Sequence, residues 1–169
     1  MGDPGQLVVK GWTIFAHPLF LDQIDALLDA VERARAKDPG GYKRKNAAKR
    51  LAAVARLAFE IIPENPELDE YRQGNTLGDH KRHWLRAKFF QQYRLFFRYR
   101  KAEKIILCAW VNDEGTLRAY DSRTDAYAVF KKMLARGRPP DDWQRLEAEC
   151  KRAAKRLAAA EARITSATK

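Results

Sequence analysis

The sequence predicts an α+β fold: a small, mostly antiparallel twisted sheet, with an N-terminal αα-hairpin on one face and C-terminal helices. Three observations predict it. Apolar residues recur at helical spacing twice in the first third of the chain, from about Leu19 to Ala36 and from about Lys45 to Ile62. Between Trp84 and Tyr99, aromatic and apolar residues alternate with cations at a two-residue period, as in strands. The run Ile105 to Val111 is apolar on both sides and is expected at the centre of the sheet.

Each element follows from local chemistry. Residues 1–7 are expected to fray. Val8 to Phe15 reads as one short strand. His17-Pro18 opens the first helix, whose inward stripe is Phe20, Ile24, Leu27, Leu28 and Val31. Asp38-Pro39-Gly40-Gly41 ends it. The second helix carries Ala48, Leu51, Ala52, Ala55 and Phe59, and Pro63 and Pro66 stop it. Two antiparallel helices joined this way can cover one face of a sheet. After a loop over 63–80 come two strands, Trp84 to Phe89 and Tyr93 to Tyr99, joined near Gln91-Gln92. Asn112 to Gly115 is a turn. Thr124 or Asp125 caps a helix through Ala135, ended by Gly137 and Pro139-Pro140. The last helix starts near Asp141-Asp142, with Trp143, Leu146, Cys150 and Leu157 as its stripe. Beyond Lys151 it turns Ala/Lys/Arg-rich and is expected to project. Residues 1–150 are read as one domain, and 151–169 as a basic helical extension.

The charge is uneven. The chain of 169 residues carries a formal net charge of +11. Between Asp79 and Glu103 stand Lys81, Arg82, Arg86, Lys88, Arg94, Arg98, Arg100 and Lys101, and not one carboxylate. Alternation puts Arg86 and Lys88 on one face of their strand, and Arg94, Phe96 and Arg98 on one face of the next. A register that aligns these faces displays a cationic surface backed by a core, which is physically a nucleic-acid platform. Lys81, Arg82, Phe96, Arg98 and Arg100 are expected to bind RNA there. Cys108 and Cys150 sit in apolar patterns and read as small buried hydrophobes. No signal peptide or membrane-length apolar run is read, so a cytoplasmic protein is expected.

Catalytic options are narrow. His17, His80 and His83 lack carboxylates or thiols at ligand spacing, so no metal is expected. No Gly-rich phosphate loop and no nucleophile elbow is present, and no cofactor is expected. Any chemistry falls to Arg, Lys, Tyr or His. That set suits RNA cleavage, because RNA carries its own nucleophile, the 2′-hydroxyl. Protein cations need only orient it and stabilise the charged phosphorane. Arg86, Lys88 and Arg94 are placed for this, and phosphate binding without chemistry is the alternative role for each.

The order strand, two helices, then three strands containing YRLFFRY resembles the RelE superfamily of ribosome-dependent mRNA interferases. Within it, GWTIFAHPLF, YKRKNAAKRLAAV, WLRAKF, YRLFFRY, WVNDEGTLRAY and TDAYAVFKKMLARGRPPDDW resemble the YhaV toxin family, over roughly Gly11 to Glu149. The resemblance implies a RelE-like fold and a toxin of a type II toxin–antitoxin pair. It further implies endoribonucleolytic cleavage of mRNA, expected to be metal-independent because no ligand set is spaced for a metal, neutralisation by a PrlF-type antitoxin, and contact with operator DNA only through that antitoxin. It places two cations at alternating positions of one strand, matched by Arg86 and Lys88, with Arg in place of the first lysine. The arginine of the next strand matches Arg94, and a later arginine and tyrosine correspond to Arg118 and Tyr120. The reading is then a catalytic set of Arg86, Lys88, Arg94, Arg118 and Tyr120. A non-catalytic module that blocks translation by occupying RNA or the ribosome is the alternative. A third reading, a defective toxin kept as an antitoxin-binding subunit, is disfavoured by the retained cations.

Overall fold

The computed structural model of the protein describes residues 6–168. Of residues 1–7, expected to fray, 1–5 lie outside them, while Leu7 is instead held in a strand opposite Ile14. Five strands form one mixed sheet: β1 (Leu7–Val9), β2 (Trp12–Ala16), β3 (Leu85–Phe89), β4 (Tyr93–Arg100) and β5 (Ile105–Val111). Their spatial order is β1-β2-β5-β4-β3, and only the β2–β5 pair is parallel. All seven residues of β5 are buried, as its two-sided apolar pattern and central place require. The expected first strand is instead a hairpin of two. Lys10 and Gly11 take φ of 51° and 85°, a left-handed pair that reverses the chain.

Helix α1 (Pro18–Lys37) buries Phe20, Leu21, Ile24, Leu27, Leu28 and Val31. Helix α2 (Asn46–Arg56) continues through a π-helical stretch, Leu57–Ile61, into a final turn α3 (Ile62–Glu64). Together they cover one sheet face, on Ile14, Ala87, Leu95, Phe97, Ile106 and Cys108. The αα-hairpin expectation holds.

The opposite face departs from expectation. It is not an open basic surface. Helices α4 (Ala126–Ala135) and α5 (Trp143–Arg152) lie over it and build a second core with Phe15, Trp84, Phe96, Leu107 and Trp110. Phe130 stacks on Phe96 at 4.2 Å between ring centroids and lies parallel to Trp110 at 5.8 Å. A register shift between Phe96 and Phe97, opposite Ala109, turns both Ala109 and Trp110 into this core.

The last helix is also not continuous. It breaks at Ala153, and α6 (Ala154–Thr168) buries Leu157, Ala160, Ile164 and Ala167 in the first core. Trp143, Leu146 and Cys150 serve the second core, so the chain bends at Ala153 to pass from one sheet face to the other. The basic tail therefore packs rather than projects. Arg156 reaches Asp22 and Asp25 at 2.7 Å each, and Arg163 reaches Glu32 at 2.9 Å, both on α1.

His17 fixes the entry to α1. Its Nδ1 accepts the Leu19 amide at 3.1 Å, which leaves Nε2 to donate to Glu149 at 2.9 Å. Burial lowers its pKa below the ordinary 6.5, against the raising effect of Glu149. The unfolded chain thus takes up the proton first, so this group's contribution is full above about pH 6.5 and is lost as pH falls through the folded pKa. His17→Asn keeps a capping side chain and does not titrate. Its melting temperature should fall less than that of the parent between about pH 7.5 and 5.5. Parallel pH profiles of the two proteins would refute this.

Candidate active site

The β3–β4 register sets Arg86 opposite Phe96 and Lys88 opposite Arg94. The cationic faces therefore align, as the alternation requires. β3 is one of the two edge strands, and of its two cations Lys88 is the more exposed. Lys88 is exposed and has no carboxylate partner among the described residues. Arg86 is half-buried. Its Nε donates to the Tyr127 hydroxyl at 2.9 Å, and its Nη1 donates to the Glu70 carbonyl.

Arg94 is 6% exposed. Its Nε donates to the same Tyr127 hydroxyl at 3.1 Å, and its Nη1 donates to the carbonyls of Gln91 at 2.7 Å and Tyr93 at 2.9 Å. It holds the hairpin and the tyrosine rather than facing solvent. Tyr127 thus accepts from two guanidiniums and keeps its own hydroxyl hydrogen to offer.

Arg118 and Tyr120 take different places. Arg118 pairs with Asp125 at 2.6 Å, and its guanidinium lies 4.7 Å from the Tyr127 ring centroid. Asp125 caps α4 by accepting from the Tyr127 and Ala128 amides. Burial alone would raise the Asp125 pKa, but the hydrogen bonds from Arg118 and the Ala119 and Ala128 amides bring it below the ordinary value. The pair therefore fixes the first turn of α4, and with it Tyr127. Tyr120 is 83% exposed under the Arg118 guanidinium at 3.8 Å, and no hydrogen bond joins its hydroxyl to Arg86 or Arg94.

The expected RNA-binding residues divide. Phe96 has no exposed surface, so its ring cannot stack on a base; it is a core residue. Arg98 is held between Trp84 and Trp143 at 5.2 and 5.3 Å, and donates to the Asp141 carbonyl at 2.6 Å. Burial lowers its pKa. Arg100 lies over Trp143 at 4.5 Å and near Glu103 at 3.8 Å, while remaining exposed. Lys81 pairs with Asp141 at 3.0 Å. Asp141 also accepts from His83 at 2.8 Å and Trp84 at 2.7 Å. Burial would raise its pKa; these bonds instead bring it to about 2. Arg82 is exposed and donates to Asn75 at 2.8 Å.

Two site residues were missed from sequence. Tyr127 sits in TDAYAVF, where its i, i+3, i+7 spacing with Phe130 and Leu134 reads as plain core. Asn112, a turn residue by its sequence pattern, accepts from the Arg94 amide at 2.7 Å and donates to the Gln92 and Thr116 carbonyls. Among the described residues, no three of His, Cys, Asp and Glu are grouped to hold a metal ion. No described helix is long and apolar enough to cross a membrane.

A family model described as a toxin with endonuclease activity, of toxin–antitoxin system, matches residues 14–151. The chain belongs to the YhaV toxin family. The ribonuclease toxin YhaV of Escherichia coli strain K12 is 50% identical over 143 residues, which cover 83% of this chain and 93% of that protein. The YhaV toxins of E. coli O157:H7 and of E. coli O6:H1 are equally similar over the same shares. No solved structure matches. As a YhaV-family member the chain is an endonuclease toxin with an antitoxin partner. The family match ends before α6, whose ion pairs and apolar stripe are nonetheless integral to this fold.

Proposed function

We propose that this YhaV-family toxin is an endoribonuclease that cleaves mRNA by attack of the 2′-hydroxyl on the adjacent phosphorus. The observation that carries the reading is the Tyr127 hydroxyl, hydrogen-bonded by Arg86 and Arg94, with the exposed Lys88 opposite Arg94 in the strand register. The 2′-oxygen forms a bond to phosphorus and its proton passes to water at the open rim. Arg86 and Lys88, neither paired with a carboxylate among the described residues, stabilise the phosphorane charge. The P–O5′ bond breaks and Tyr127 delivers its proton to the leaving 5′-oxygen. Arg94, Arg118 and Asp125 position Tyr127, and Asn112 holds the hairpin tip. The products are a 2′,3′-cyclic phosphate and a 5′-hydroxyl. No step needs a metal.

The finer readings rest on the resemblance. The fold is RelE-like, the mRNA is cut on the ribosome in the cytoplasm, and a PrlF-type antitoxin neutralises the toxin. Operator DNA is contacted through that antitoxin. Residues 151–169 are read as an extension added to the toxin domain.

Arg86→Ala should abolish growth arrest and lower RNA cleavage by roughly two orders of magnitude or more. The melting temperature should fall little, because a half-exposed cation contributes little to stability. End-group analysis of the cleaved RNA should find the cyclic phosphate. Intact RNA under translational arrest would establish occupancy instead of cleavage.

A further inference from the structure

The turn joining β3 to β4 is strained and held. Phe90 and Gln91 take φ of 45° and 62°, although neither is glycine. A bulky residue in that region is a genuine outlier. The Gln92 amide bonds back to the Phe90 carbonyl at 2.6 Å, closing a three-residue turn of the rare γ type. Three groups clamp it from the active-site side. Arg94 Nη1 donates to the Gln91 carbonyl at 2.7 Å, Asn112 Nδ2 to the Gln92 carbonyl at 3.1 Å, and the Arg118 amide to the same carbonyl at 2.9 Å. Such strain persists where surroundings over-determine it, and it clusters at functional sites.

The clamp presents one large side chain. Phe90 is 50% exposed, at the rim of a cleft of about 580 Å³. Asn46, Lys49, Gln92, Tyr93, Glu114 and Leu117 line the rest. The only carboxylate there, Glu114, already faces Arg50 at 3.5 Å and Asn46 at 3.3 Å. Lys49 is exposed, with no carboxylate partner among the described residues. Lys88 lies two residues before Phe90, about 7 Å along the chain at strand rise. Lys88 shares the α4 side of the sheet with Arg94, whereas Asn46 and Lys49 belong to α2 on the other side, so an RNA strand bound at Lys88 reaches the cleft by passing round the hairpin tip, where Phe90 stands exposed.

We propose that this hairpin tip is a nucleobase subsite for the RNA substrate. The Phe90 ring stacks on the base next to the cleaved phosphate, and Lys49 meets the following phosphate. Aromatic stacking tolerates every base but ranks them by stacking strength, so Phe90 biases which sites are cut. The inference rests on the cleavage reading above, with Phe90 taking the stacking role that buried Phe96 lacks.

The test uses Phe90→Asn and Phe90→Trp in the full-length toxin. Asparagine tolerates left-handed backbone, so the variant should fold with an unchanged or raised melting temperature. Cleavage of a defined mRNA in a translation extract, mapped by primer extension, should show KM raised about 5- to 150-fold for Phe90→Asn. The preference among sites should flatten, while Phe90→Trp keeps both. If Arg86→Ala loses cleavage but Phe90→Asn keeps the parental KM and site pattern, the subsite is wrong and the cleavage site stands. If both variants cleave like the parent, the cleavage reading falls, and the subsite with it.

Discussion

Tyr127→Phe is expected to lower kcat for RNA cleavage by about 10²- to 10⁴-fold, the range for losing a positioned proton donor. The argument is local. The phenol accepts from Arg86 Nε at 2.9 Å and Arg94 Nε at 3.1 Å, so removing the oxygen deletes a proton source and an acceptor at once. Arg94 is buried, and a buried donor left without its partner costs about 1–3 kcal/mol. The variant should therefore melt at a lower temperature, yet remain folded at assay temperature. RNA binding, read with a substrate lacking the 2′-hydroxyl at the cut position, should be nearly retained. Tyr120→Phe is the control. Its hydroxyl stands on a ring that is 83% exposed, so cleavage should stay close to the parental rate. The reverse pattern, with Tyr120→Phe inactive and Tyr127→Phe active, would return the proton-transfer role to Tyr120.

The sequence made some of this legible and hid the rest for physical reasons. Periodicity located β3, β4 and β5, because side-chain alternation follows from strand geometry alone. It also aligned Arg86 with Lys88, and the register confirmed that Arg94 shares their face. Capping chemistry was readable too, since Asp125 and Asp142 satisfy amides within three residues of themselves. What alternation cannot tell is which face another element covers. Arg94, Phe96 and Arg98 look like an exposed basic row, but an arginine can bury its stem and keep its head hydrogen-bonded. Arg98 does so between two tryptophans. Tyr127 was hidden because it meets Arg86 and Arg94 only through tertiary packing of α4. The break at Ala153 had no glycine or proline to mark it. It follows from two cores on opposite sheet faces competing for one helical stripe.

That packing makes Phe130 a residue whose loss should cost much stability. Its ring is fully buried, stacks on Phe96 at 4.2 Å and meets Trp84 edge-on at 5.1 Å. Truncating a buried phenylalanine costs about 3–5 kcal/mol, from lost transfer energy and the cavity left behind. Phe130→Ala should lower the melting temperature by about 6–20 °C, by the usual scaling for a chain of this size. Phe130→Leu, which fills most of the volume, should cost less. The effect should reach the active site, because α4 carries Tyr127 one turn before Phe130. Loosening α4 withdraws the phenol from Arg86 and Arg94 even in molecules that remain folded. Phe130→Ala should then cleave RNA more slowly than its folded fraction accounts for, with circular dichroism measuring that fraction at the assay temperature. Activity that simply tracks the folded fraction would mean that Arg118 and Asp125 hold Tyr127 without help from the core. A melting temperature equal to the parent's would show that α4 does not close the sheet as described.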